Sequence, residues 1–168
     1  GILLGMASGL TAAAAPLYWF FTQMQNIGTP GFLIQATFFF ICLMLGFLSM
    51  YALTRELFPN RKRIVYFSAA IFYLVNPYAL VNVWNRFLQN PMLFYVFLPL
   101  GLWLYICGLK KRKYSFAVLN MGLTAVFSFA FAGPSQTLMF WGLLFLISIY
   151  YFVFFEKDRF VARYFFLN

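Results

Sequence analysis

The chain has no histidine and only three acidic residues, Glu56, Glu156 and Asp158. Without histidine, no Ser/His/Asp or Cys/His catalytic set can be assembled. With so few carboxylates, a metal site built from this chain alone is not expected. No Gly-rich phosphate loop is present either. The two cysteines, Cys42 and Cys107, both lie inside apolar runs, so they define neither a disulfide framework nor a redox compartment. Charge is scarce, at 9% of residues against 64% hydrophobic and 24% aromatic, with a mean hydropathy of +0.84. A soluble domain of 168 residues cannot hide that much apolar surface.

What charge there is falls in three clusters. Arg55, Glu56, Arg61, Lys62 and Arg63 form the first, Lys110, Lys111, Arg112 and Lys113 the second, and Glu156, Lys157, Asp158, Arg159 and Arg163 the third. Only Arg86 lies outside them. Charge in hydrocarbon costs several kcal/mol, and basic loops are retained on the cytoplasmic side. The net charge of +9 therefore does not indicate nucleic acid, because the bases end apolar segments and do not line a polar groove. Membrane lipid, with its anionic headgroups, is the expected partner of these loops. Each acid is flanked by bases and reads as a solvated loop charge. No apolar run carries a charge at its centre, which argues against a proton relay or a voltage sensor.

A transmembrane helix needs about 20 mostly apolar residues. Residues 32–53, 64–83, 91–109, 114–132 and 136–155 qualify, the second broken near Asn76-Pro77 and the third containing Pro99. The fold class expected is all-α: a polytopic transmembrane helix bundle of five spans plus an N-terminal helix. The loops at 54–63, 110–113 and 156–163 are expected in the cytoplasm of a multi-pass cell-membrane protein. The turns at 82–90 and 133–135 then face outward. The first 22 residues read as helix, either a sixth span or an external interfacial or re-entrant segment. Gly1, Gly5, Gly9 and Ala13 give that segment a small face for close helix packing, and Tyr18 and Trp19 suit headgroup level. Residues 23–30 are polar and Gly/Pro-rich and read as a loop. No internal repeat is evident, and one transmembrane domain over 1–168 is the sensible division. The Gly start and the apolar stretch at the end suggest a piece of a longer membrane protein.

Three polar features remain. Pro77 disfavours helix at Asn76 and opens the backbone near the outer surface. A packing kink is one reading and an opening onto an external cavity the other. Arg86, beside Asn82, Trp84, Asn85 and Gln89, is either an arginine snorkelling to the interface or a bidentate partner for a lipid phosphate. Gly133-Pro134-Ser135-Gln136 reads as a tight outer turn.

These residues carry a resemblance. An external Pro/Gly loop precedes an apolar run ending Tyr51-Ala-Leu-Thr-Arg55-Glu-Leu. A short basic loop and then Ser68-Ala-Ala-Ile-Phe-Tyr73-Leu-Val-Asn76-Pro77-Tyr78 follow. Over residues 14–99 this order resembles the N-terminal membrane half of polytopic GT-C glycosyltransferases of the arabinofuranosyltransferase-like kind. The resemblance implies sugar transfer from a polyprenyl-phosphate donor at the outer face, with a divalent metal in the full-length protein. The family's hallmark acid lies in the first external loop, and this chain has no Asp or Glu before Glu56. No catalytic residue carries over. Asn76, Asn82, Trp84, Asn85 and Arg86 are the positions that resemble the substrate-facing side. Two other readings stay open: a non-catalytic helical membrane subunit working with other subunits or with the rest of its own chain, and a transporter fragment.

Overall fold

The structure, a computed structural model, describes residues 2–86, 88–155 and 159–167, with side chains described from Ala14 onward and not at Arg159. Glu156, Lys157 and Asp158 of the third charged cluster lie outside the described residues, as do the side chains of the small N-terminal face at Gly5, Gly9 and Ala13. The described residues are 86% helical and contain no strand. Seven α-helices follow in order: α1 Ile2–Asn26, α2 Gly31–Leu57, α3 Arg63–Val75, α4 Gln89–Lys111, α5 Ser115–Val126, α6 Pro134–Phe154 and α7 Arg159–Phe166. A π-helical turn, Ala79–Trp84, follows α3, and a 3-10 turn, Ser128–Phe131, follows α5.

Three helices, α2, α4 and α6, are long and apolar enough to cross a membrane. The other two apolar runs end early, α3 after 13 residues and α5 after 12. Pro77 accounts for the first stop. Asn76 takes an extended conformation (φ −64°, ψ 154°), as a residue before proline should. The second stop has no helix breaker. Phe127 leaves the α region, and the backbone tightens so that Ala130 N–H bonds the Phe127 carbonyl at 2.8 Å. That winding sets Phe127 and Phe131 against Phe97, with ring centroids 5.5 and 5.2 Å away.

α1 is one continuous helix through Pro16, without the break a re-entrant hairpin needs. It also runs further than expected. Gln23, Met24 and Gln25 are good helix formers and continue it to Asn26, so the loop is only residues 27–30. Gly28 makes that turn with φ +78°, a conformation glycine adopts at no steric cost.

α4 sits at the centre. Its apolar window is 72% buried, against 22% in α2 and 17% in α6. α2 packs on it, and buries Ile34, Phe38, Cys42, Gly46, Ser49 and Leu53, spaced three or four residues apart on one stripe. At Gly46 a Cβ would stand 3.1 Å from Leu74, so the missing side chain lets α3 lie close. Gly101 does the same for α6, where the Phe140 ring packs against α4. Lys110 at the end of α4 pairs with Glu56 at the end of α2 (3.0 Å). Arg112 lies over the Phe160 ring of α7, and Tyr114 packs on it at 5.0 Å. The described cations of loop 54–63, turn 110–113 and α7 thus gather at one end of the bundle. Arg86 and Gln136 lie towards the other end, separated by the length of α4, about 34 Å for 23 residues.

Candidate functional site

The second end of the bundle is shaped by two prolines. A proline inside a helix leaves the carbonyl four residues earlier without its usual donor. Pro77 frees the carbonyl of Tyr73, and Pro99, inside α4, frees that of Tyr95. The two tyrosines satisfy each other. Tyr73 Oη donates to the Tyr95 carbonyl at 2.6 Å, and Tyr95 Oη donates to the Tyr73 carbonyl. Their rings stack with centroids 4.2 Å apart and planes within 8°. Each pairing answers a backbone group that hydrocarbon would leave unsatisfied, at a cost of several kcal/mol.

Asn76 completes the junction. Its Oδ1 accepts from Ala79 N–H at 3.0 Å, the N-cap bond, with Pro77 at the first position of the new turn. Its Nδ2 donates to the Tyr73 carbonyl (2.7 Å) and to Tyr95 Oη (2.9 Å). Beyond it the chain winds in the wider π form, with Asn85 N–H bonding the Leu80 carbonyl at 3.0 Å. Trp84 folds back under this turn. Its Nε1 donates to the Leu74 carbonyl at 2.7 Å, and its ring packs edge-on against Phe39 and Tyr95.

The junction forms one wall of a cavity of about 670 Å³. Pro91, Phe94, Tyr95 and Leu98 of α4 form the floor, spaced so that one helix stripe faces it. Ser135, Gln136 and Met139 of the first turns of α6 form the opposite wall. Gln136 Nε2 reaches Asn90 Oδ1 at 3.1 Å. Its Oε1 is buried without a hydrogen-bond partner and fits only because Gly133 has no Cβ to overlap it. The lining combines the polar Arg86, Asn82, Ser135 and Gln136 with the apolar Phe94, Leu98 and Met139.

Of the residues singled out from sequence, Asn76, Asn82 and Arg86 line this cavity together. Trp84 does not; it is buried beneath as a structural donor. Asn85 is exposed and outside the lining. Sequence reasoning missed Tyr73 and Tyr95 and read Ser135 and Gln136 only as part of an outer turn. A signal for the tyrosines was there: each stands four residues before a proline, in Tyr73-Leu-Val-Asn-Pro77 and Tyr95-Val-Phe-Leu-Pro99. A guanidinium, amides and hydroxyls suit an anionic, hydrogen-bonding group. They do not suit a divalent cation, and among the described residues no three His, Cys, Asp or Glu side chains come together. The metal implied by the resemblance therefore has no ligand set here.

The chain matches no family model, no curated protein and no solved structure.

Proposed function

We propose that this chain is the lipid-phosphate-binding membrane part of a polyprenyl-phosphate-sugar-dependent glycosyltransferase, working at the outer face. The observation that carries this reading is the cavity beside the α3 break, in which Arg86, Asn82, Ser135 and Gln136 share the lining with apolar side chains such as Phe94, Leu98 and Met139. A lipid phosphate matches that mixed lining: the head takes the guanidinium and amide, and the isoprenoid chain takes the apolar side chains of α4 and Met139. Asn82 offers its amide to the phosphate, Asn76 holds the backbone break beside it, and Arg86 provides the bidentate contact.

In this reading the five-span count holds. α3 with its π turn and α5 with its 3-10 turn each cross as one broken span, while α1 lies beside them as a sixth span or an interfacial helix. The charged end faces the cytoplasm and the cavity faces outward, in accord with the positive-inside bias. The catalytic carboxylate, and any metal it holds, belong to another segment or partner.

Binding of a purified polyprenyl phosphate to the reconstituted protein tests it. Arg86→Ala should weaken binding about ten-fold or more, from the loss of about 1.5–3 kcal/mol for a charge-assisted contact. Arg86→Lys should recover only part. Unchanged binding in Arg86→Ala removes the reading.

A second reading, a non-catalytic subunit, is favoured by one observation: among the described residues no acidic side chain lines the cavity. Polyprenyl-phosphate binding with no transferase activity in any assembly containing the chain would select it.

A further inference from the structure

Two smaller pockets lie where α1, α2 and α4 meet. The first, of about 230 Å³, is lined by Phe21 of α1, Gln35 and Phe38 of α2, and Gln89 and Met92 of α4. The second, of about 170 Å³, has Pro16 and Phe20 of α1, Ile41 and Leu45 of α2, and Leu93 of α4 in its walls. α4 turns Pro91, Phe94 and Tyr95 to the outer cavity and Gln89, Met92 and Leu93 to these pockets, which therefore lie on another side of the helix.

All three helices order the two pockets alike. α2 starts at the Arg86 end of the bundle, so Gln35 stands outermost, then Phe38, then Ile41 and Leu45. α4 starts there too, with Gln89, and reaches Leu93 one turn later. α1 ends there, so Phe21 is outermost and Pro16 deepest. Phe38 borders both pockets, its ring centroid 5.5 Å from that of Phe21 and 6.4 Å from that of Phe20. The pockets are thus the mouth and the depth of one slot, which runs about 15 Å along α2 from Gln35 to Leu45.

The mouth carries two primary amides. Gln35 and Gln89 are both exposed, and neither is hydrogen-bonded among the described residues. Each offers donors and an acceptor, and a hydroxyl answers both. No charged side chain lines the mouth or the depth. An anionic head would find no cation there to offset its desolvation. Amides from two helices select a head with more than one hydroxyl, and the apolar depth selects a chain.

We propose that this slot holds a lipid with an uncharged polyol head, a neutral glycolipid, its hydroxyls at Gln35 and Gln89 and one acyl chain passing Phe38 to lie along Ile41 and Leu45. The site does not rest on the reading of the outer cavity.

Photocrosslinking tests it. The protein is reconstituted in phosphatidylcholine vesicles with glucosyl diacylglycerol carrying a diazirine in one acyl chain, and the labelled residues are mapped by mass spectrometry. Labels should fall at 16–20 and 41–45. Phosphatidic acid with the same chains should label these positions about ten-fold less at equal mole fraction. Gln35→Leu/Gln89→Leu should lower glucolipid labelling about ten-fold, as expected for two neutral hydrogen bonds. Both residues are exposed, so thermal unfolding of that variant should match the parent chain. Ile41→Trp, which fills the depth from its rim, should lower labelling at 42–45. Equal labelling by the two lipids, labelling unchanged in the double variant, or labels confined to other segments would each overturn the proposal. Arg86→Gln should leave this labelling as it is, so a failure here leaves the outer-cavity reading standing.

Discussion

Tyr73 and Tyr95 each donate a hydrogen bond to a carbonyl that a proline has orphaned in the other's helix. Tyr73→Phe removes one donor and leaves the Tyr95 carbonyl buried without a partner, which costs about 1–3 kcal/mol. Restoring an N–H at position 99 supplies the missing donor from within α4. Chemical or thermal unfolding in detergent should therefore show Tyr73→Phe destabilised by that amount and the Tyr73→Phe/Pro99→Ala double variant largely recovered. A double variant no better than Tyr73→Phe alone would refute the assignment. Part of this junction was legible beforehand. The extended conformation at Asn76 follows from Pro77 by local sterics, and a residue that leaves α3 there and caps the next turn is a local matter too. The tyrosine exchange was not legible, because a tyrosine in an apolar run looks like a packing residue until its partner, 22 positions away, is brought beside it.

Among the elements, α7 is held by one close fit. At Gly108 of α4 a Cβ would overlap the Tyr164 hydroxyl and lie 2.9 Å from Phe116. Gly108→Ala should push α7 off its seat and lower stability by about 1–3 kcal/mol, the usual range for overpacking. Tyr164→Phe in that background should return part of the loss, since it removes the overlapping oxygen. If thermal unfolding of Gly108→Ala matches the parent chain, α7 is not seated through this glycine. The lengths of α2, α4 and α6 were legible because uninterrupted apolar runs of that length have few alternatives in a membrane. The early end of α5 was not. No proline or glycine marks it, and the tight turn after Val126 answers to the rings of Phe94, Phe97 and Phe140, which lie on other helices.

For the molecule as a whole, the arrangement of charge makes a sidedness test simple. The charged loops collect at one end through Glu56–Lys110 and Arg112–Phe160, and Arg86 stands at the other. In sealed cells expressing single-cysteine variants on a background lacking Cys42 and Cys107, an impermeant maleimide should label position 86 and spare position 111. Labelling of 111 alone would invert the orientation, and labelling of both would break the span count. The all-helical membrane class was readable from composition and charge spacing alone. An opening near Pro77 was one of the two sequence readings; the walls of the cavity were not legible, since they exist only where α3, α4 and α6 meet.

The tyrosine exchange also has an order in time. As the chain is made, α3 emerges first, its Tyr73 carbonyl met only by the Asn76 amide and its Tyr73 hydroxyl still without the Tyr95 carbonyl, which arrives 22 residues later with α4. Until then the break at Asn76 is a poor passenger for lipid. Release of α3 from the insertion machinery should thus wait for α4, and the two helices should enter the bilayer as a pair. A chain truncated before Tyr95 would then stay in contact with the insertion channel, as site-specific crosslinking from α3 would detect, whereas one extended past Pro99 would move on.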